Sequence, residues 1–499
     1  MHIRTAITAG AALVQTAVAA SVQAKNVIYI VPDGYGPASQ NMARDLMSLV
    51  DSGTTGSNPK IDELPVDDLA IGRVRTHSAS NMITDSAASG TAYAAGHKSY
   101  NGAISVTPDG QPVGSILEAA KLGGMKTGLV STTYISDATP GAHAANRGSM
   151  PLIAEQQLGY SHPLGPMVDL LLGGGRCNFS PNSTEGSCRT DDFDLLTYAE
   201  EQGFTVATSR EEFNALGKGQ ESMRYEMDRR VIQDEPSLLE MAETAVNALH
   251  RATRRRNKGF FLMIEAARID HAGHDNDPAN HAFETVMYNN VVAWVRDWID
   301  QHPDTIMLSA ADHETGGLTL NGYDPLPLRN ATHSRAYLQS VWDNDRPADV
   351  DERDFLVSEI LPAYGLENVE DADIQTILDA DSIGAGIAAL MSSRAGVDWS
   401  TGGHTSVDVT LHGYAAGRKR QALKADLAGG WDNTELPRYI EEVLGLDMDA
   451  VTERLRKAAE EDSSYPVLDY TLQWMQEEAA LPSYQCFEMP RKVDFYWDK

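Results

Sequence analysis

Ser86 follows an aspartate inside a run of small residues, TDSAASGTAYAAG, from Thr84 to Gly96. A serine can act as a nucleophile only if something takes its proton, usually a histidine. No neighbouring residue supplies one, so any activator must come from elsewhere in the chain. Taken alone, the run reads first as a close-packed helix start, where Ala, Ser and Gly let another element approach. A second stretch, EAARIDHAGH, holds Glu265, Asp270, His271 and His274 within ten residues. Asp270 and His274 are four apart, so one helical turn places them on the same side. Carboxylate oxygen with imidazole nitrogen suits zinc. Taken alone, this stretch could also be a solvated charged loop. Asp312-His313 is another carboxylate–imidazole pair, His404 lies in the Gly-rich TGGHTSVD, and Asp33 lies in PDGYG.

The elements that must position these residues share one pattern. NVIYIV leads into Pro32-Asp33-Gly34, and KTGLVSTTYIS into Asp137-Ala138-Thr139. GFFLMIE ends on Glu265, and DTIMLSAA leads into Asp312-His313. Short continuous apolar runs fit strands buried on both faces of a parallel sheet. Helical patterns such as PVGSILEAAKLGG and PSLLEMAETAVNALHRA lie between them. Alternating strands and helices predict an α/β fold: a three-layer sandwich with a large, mostly parallel sheet and helices on both faces. Ligands of such sheets bind at the carboxyl ends of the strands, where all four polar clusters fall.

The chain has 499 residues, 71 acidic against 40 basic, and a formal charge of −31. Such a surface repels nucleic acid and anionic membranes. An anionic substrate would then need a local positive centre, which bound metal ions could provide. Residues 1–24 read as a secretory signal: a short basic start, an Ala-rich apolar stretch and Val22-Gln23-Ala24 as a small-residue cleavage site. No other stretch is apolar for long enough to span a bilayer. Secretion, or a periplasmic location in a bacterium, is therefore expected. Cys177 and Cys188 flank a turn-rich loop that a disulfide could close in an exported protein, leaving Cys486 over. Asn178, Asn182 and Asn330 begin glycosylation sequons. Residues of about 321–400 read as an acidic, loop-rich insertion in a single catalytic domain over 25–499. The sheet pattern resumes at TGGHTSVDVTLHGYAAG, and a mostly helical terminus follows.

In order, DGYG, TDSAASGTA, KSYNGAI, DATP, EAARIDHAGH, ADHETGG and GGHTSVDV resemble the motif series of the alkaline phosphatases, over roughly Asn26 to Gly417. KSYNGAI and the Cys177–Cys188 loop look most like fungal members. The resemblance implies phosphate monoester hydrolysis through a phosphoserine at Ser86, with two zinc ions and one magnesium. It implies that Asp270, His274 and His404 hold the first zinc. Asp312, His313 and the Ser86 oxygen meet the second, and Asp33 bridges it to the magnesium. Thr139 and Glu265 match the remaining magnesium ligands. Asp137 and His271 match two positions behind the ligands that vary across the family, here an acid and an imidazole. Arg147 is the candidate phosphate-gripping arginine, although its interval from Thr139 is about three residues shorter than the family's usual spacing. The resemblance also implies small phosphorylated substrates and a homodimer. A diesterase or sulfatase on the same kind of sheet is the enzyme alternative. The sulfatase C/S-x-P-x-R stretch is absent, and Thr139 with Glu265 favours a monoesterase. A non-catalytic metal- or phosphate-binding relative is the alternative of another class.

Overall fold

A computed structural model of the chain describes residues 22–53, 59–146, 149–216, 224–255 and 258–461. Twelve strands are present among them: β1 Asn26–Val31, β2 Ala70–Arg75, β3 Lys126–Tyr134, β4 Leu170–Gly174, β5 Phe260–Glu265, β6 Thr305–Ser309, β7 Glu314–Thr315, β8 Leu318–Leu320, β9 Val397–Trp399, β10 His404–Thr405, β11 Val409–Ala415 and β12 Gly429–Asp432. Eight form one sheet in the order β12-β2-β11-β6-β1-β5-β3-β4. Only β11 runs against the others, pairing antiparallel with β2 and β6. Every residue of β1, β5 and β6 is buried, which is why their sequences are unbroken apolar runs rather than alternating ones. The helices Leu238–Thr253 and Ile116–Leu122 both pack on β3 and β5, and helices enclose the sheet. Ser115 and Ser237 cap these two helices in capping boxes with Glu118 and Glu240.

The acidic segment around 321–400 is mostly helical where its composition predicts loops. It holds helices Arg335–Asn344, Asp371–Leu378 and Ile383–Ala395 among others. Its apolar residues are diluted by acids but recur at helical spacing. Ile374, Ile377, Ile383, Ile387 and Met391 meet Met42 and Leu46 in a second hydrophobic cluster, separate from the sheet's core. The C-terminal helices Glu435–Leu444 and Met448–Glu461 follow the sheet.

Cys177 and Cys188 are joined in a disulfide, with Cα atoms 4.9 Å apart. Asn178 beside it is buried, and its amide donates to Ser136 Oγ at 3.0 Å. That side chain is therefore closed to glycan in the folded chain, whereas Asn182 and Asn330 are exposed. No described helix is long and apolar enough to cross a membrane. Most of the expected signal segment, Arg147 and Cys486 lie outside the described residues.

Candidate metal centre and nucleophile

The carboxyl ends of β1, β3, β5 and β6 stand side by side, because these strands are immediate neighbours in parallel register. Val31 lies opposite Glu265, and Glu265 opposite Ser131. After β1 the chain turns through Pro32-Asp33-Gly34. Gly34 has φ +75°, and a Cβ there would stand 2.5 Å from the Cα of Asp270. Glycine alone lets this turn pack against the helix Arg268–His274. The Gly34 amide donates to Asp312 Oδ1 at 3.2 Å, tying the β1 turn to the β6 turn.

Ser86 is the first residue of the helix Ser86–Ala95. Asp85 caps that helix, accepting from the Ala88 amide at 2.8 Å and the Gly102 amide at 2.5 Å. Ser89 Oγ and Tyr93 Oη donate to the carbonyls of Asp312 and Ala311 at 2.8 and 2.6 Å, which fastens the helix to the end of β6. The small residues serve this approach: a Cβ on Gly90 would lie 3.2 Å from the Cα of Thr139. Close packing and chemistry are thus two uses of one run. Ser86 Oγ ends 3.1 Å from His313 Nε2, across 227 residues of sequence.

Three imidazoles are fixed in the same tautomer. His274 Nδ1 meets the Gly402 carbonyl at 2.7 Å, and His404 Nδ1 meets the Thr84 carbonyl at 2.9 Å. A carbonyl only accepts, so both Nδ1 atoms carry the proton. His313 Nδ1 faces Thr315 Oγ1 at 3.2 Å, and that hydroxyl gives its own hydrogen to Asp270 Oδ1 at 2.5 Å. Its proton is on Nδ1 as well. All three Nε2 atoms therefore present lone pairs. Those of His274 and His404 face each other at 3.2 Å, with Asp270 Oδ2 3.2 Å from the former and Asp270 Oδ1 3.6 Å from the latter. The His313 lone pair has Asp312 Oδ2 at 3.2 Å and Asp33 Oδ1 at 3.6 Å. Lone pairs and carboxylates crowded together repel unless a cation lies between them. Donor sets for two cations result: Asp270 with His274 and His404, and Asp33 with Asp270 and His313. Nδ1 protons held by backbone or hydroxyl oxygens are the usual second layer of a metal-binding histidine.

The acids carry the same message. Burial, then Asp312, Asp270 and Glu265, push the Asp33 carboxyl well above the usual range. Burial raises Asp312 to about 7, and Asp270 adds to the rise. Burial also drives Glu265 well up, against the relief given by the Ser131 and Thr139 hydroxyls. Burial would raise Asp270 too, but His274, His404 and His313 outweigh it and hold that carboxyl well below its ordinary value. Asp33 Oδ1 and Asp312 Oδ2 are buried and accept no hydrogen bond. Buried acceptors of this kind call for a cation. Thr139 is buried in the first turn of Ala138–Ala144. Asp137 accepts from Thr133 Oγ1 at 2.9 Å and the Ala138 amide at 2.8 Å. His271 faces Arg268 rather than the other imidazoles, with Nη1 to Nδ1 at 3.0 Å.

Sequence reading passed over Ser131, Thr315 and Arg268. Ser131 donates to Glu265 Oε2 at 2.5 Å, and Thr315 links Asp270 to His313. Thr315 and Arg268 lie inside motifs already singled out, ADHETGG and EAARIDHAGH, which was the available signal. Ser131 lies mid-strand and carried none.

Comparison with known proteins gives the family. A family model described as alkaline phosphatase matches residues 24–446. The repressible alkaline phosphatase of Saccharomyces cerevisiae is 36% identical over 489 residues, covering 88% of this chain and 84% of the relative. An alkaline phosphatase of Schizosaccharomyces pombe is 37% identical over 462 residues, covering 87% and 84%. Among solved structures, the cold-active alkaline phosphatase of a psychrophilic Shewanella superposes with a TM-score of 0.70 at 27% identity, over 84% of this chain and 99% of that one. The chain belongs to the alkaline phosphatase family, the metal-dependent phosphoric monoester hydrolases.

Proposed function

We propose that the chain hydrolyses small phosphate monoesters through a phosphoserine on Ser86, in a site holding two zinc ions and one magnesium. One observation carries this reading: three imidazole lone pairs and buried carboxylates gather beside the Ser86 hydroxyl. Asp270, His274 and His404 would hold one zinc, and Asp312, His313 and Ser86 the other. Asp33, Thr139 and Glu265 would hold the magnesium, with Asp137 and His271 behind the ligands. The imidazole and oxygen donors fit zinc, and the Asp33, Thr139 and Glu265 oxygens fit a harder cation. When bound, such ions supply acidified coordinated oxygens and neutralise charge developing on phosphorus.

The residues of the chain divide the remaining work. Ser86 loses its proton and attacks phosphorus, and the ester P–O bond breaks as the alcohol departs. Water then attacks the phosphoserine, inorganic phosphate leaves, and Ser86 regains its proton. Placement on the first turn of its helix puts the phosphoserine at the positive end of the helix dipole. The Asp85 cap fixes that turn. Arg147 is the proposed planar grip on phosphate oxygens. We place the activity in one unit over residues 25–499 with the helical insertion at about 321–400. We take the chain to be secreted and homodimeric; light scattering on the mature protein checks the dimer.

The test is one preparation assayed three ways: metal content, hydrolysis of p-nitrophenyl phosphate, and hydrolysis of bis-p-nitrophenyl phosphate. The reading expects bound zinc and a strong preference for the monoester. A preference for the diester would establish the alternative enzyme class, and bound zinc with neither activity the non-catalytic one.

A further inference from the structure

The helix Arg268–His274 carries two members of one donor set, Asp270 and His274, and ends on the second of them. Only Asp275, Asn276 and Asp277 separate it from the long helix Pro278–Gln301. Asn276 takes the left-handed conformation, with φ +49°. Its amide donates to the Gly273 carbonyl at 2.9 Å, and the Asp277 amide to the Ala272 carbonyl at 3.0 Å, which closes the helix in a Schellman turn. Whatever holds these three residues therefore holds the end of the helix on which His274 stands.

Most of the grip comes from the helical insertion at about 321–400 and from Thr401 directly after it. Arg335 Nη2 donates to Asp275 Oδ1 at 2.7 Å, and the Arg335 amide donates to Asp277 Oδ2 at 2.8 Å. Tyr364 is buried, and its hydroxyl donates to Asp277 Oδ1 at 2.7 Å. Asn276 Nδ2 donates to the Thr401 carbonyl at 3.0 Å, and the next carbonyl, Gly402, takes the His274 Nδ1 proton. Tyr225 Oη, 3.1 Å from Asp275 Oδ2, reaches the same turn from outside the insertion. Arg335 is itself fixed. It opens the helix Arg335–Asn344, whose cap Ser334 donates through amide and hydroxyl to buried Asp228 at 2.9 and 2.6 Å. We infer that Arg335 and Tyr364 are positioning residues for the metal centre: through Asp275 and Asp277 they make the insertion a brace that holds His274 beside Asp270 and His404. A ligand that must be ordered when the ion arrives binds it more weakly, because ordering costs free energy. The inference rests on the metal-binding part of the phosphatase reading. It gives the insertion a task at the site, although it contributes no residue to the proposed donor sets.

The test uses the full-length chain, stripped of metal and titrated with zinc in calorimetry, with metal content after dialysis as a second readout. Arg335→Met and Tyr364→Phe should each weaken one of the two zinc sites about tenfold, the lower end of what partners behind a metal ligand contribute. The other site should stay within about threefold of the wild type. Arg335→Lys, which keeps a cation for Asp275, should return the affinity to within about threefold. Arg335→Met and Asp275→Asn break the same ion pair, so the double variant should bind zinc about as weakly as either single one. Ile374→Val is the control: it trims the insertion's hydrophobic cluster and touches none of these hydrogen bonds. It should lower the melting temperature and leave zinc affinity unchanged. Wild-type zinc affinity in Arg335→Met or in Tyr364→Phe, equal weakening of both sites, or the same loss in Ile374→Val would overturn the inference. Should Arg335→Met not fold, Tyr364→Phe, which removes a single oxygen, decides. A wild type that binds zinc but leaves p-nitrophenyl phosphate intact would count against the phosphatase reading, and the zinc titrations would still judge the brace. A wild type that binds no zinc would overturn both.

Discussion

His274 Nε2 and His404 Nε2 face each other at 3.2 Å, although each ring has already given its Nδ1 proton to a backbone carbonyl. Two lone pairs at that distance define a place for a cation. Removing metal should therefore abolish p-nitrophenyl phosphate hydrolysis and lower the melting temperature, and zinc with magnesium should restore both. Ligand at a thousand times its Kd stabilises a fold by about 4 kcal/mol, so the thermal shift will be large. His404→Ala should lose most of that shift. Full activity in verified metal-free protein would exclude a metal mechanism.

Ser86 Oγ lies 3.1 Å from His313 Nε2, and the same Nε2 has Asp312 Oδ2 at 3.2 Å and Asp33 Oδ1 at 3.6 Å. Ser86→Ala should cut turnover by orders of magnitude while zinc content and melting temperature stay near the wild type. Trapping with labelled substrate at low pH should mark the wild type and leave Ser86→Ala unlabelled. Near-full activity in the variant would defeat the covalent route.

Gly34 owes its place to backbone geometry. A methyl group there combines a left-handed φ of +75° with a 2.5 Å approach to the Asp270 backbone. Gly34→Ala should push the helix Arg268–His274 away from β1 and weaken metal binding at least tenfold, with a stability loss of about 1–3 kcal/mol from the strained φ. Zinc titration followed by thermal melting reads both. Wild-type zinc affinity would show that the turn adapts.

Glu284 lies within the helix Pro278–Gln301, buried away from the ligand cluster. Burial raises its carboxyl from 4.5 to about 8, and Glu226 adds repulsion. Below about pH 4.5 the folded and unfolded chains both hold the proton, and no penalty arises. As pH climbs towards 8 the unfolded chain ionises first, so stability falls across that window. Glu284→Gln keeps an acceptor for the Glu226 amide, which now donates to Glu284 Oε1 at 2.5 Å. The variant should melt higher than the wild type at pH 8 and alike at pH 4.5. A pH-independent difference would show that ionisation is not the cause.

The sequence by itself determined which residues could do chemistry and at which strand ends they stand. Short apolar runs such as NVIYIV and GFFLMIE fit strands buried on both faces, which places Asp33, Glu265, Asp312 and His313 together at the carboxyl ends of the strands. Local spacing also made Asp270 and His274 neighbours. The tertiary structure alone decided how the histidines are used. A tautomer is set by the partner of Nδ1, and those partners are a carbonyl 128 residues away for His274 and one 320 residues away for His404. The 321–400 segment became helical because its scattered apolar residues found Met42 and Leu46, a long-range contact that composition does not encode. Arg268 looked like one more charge in a polar stretch. Its bond to His271, three residues on in the same helix, is local, whereas its stacking on Tyr225 became visible only in the fold.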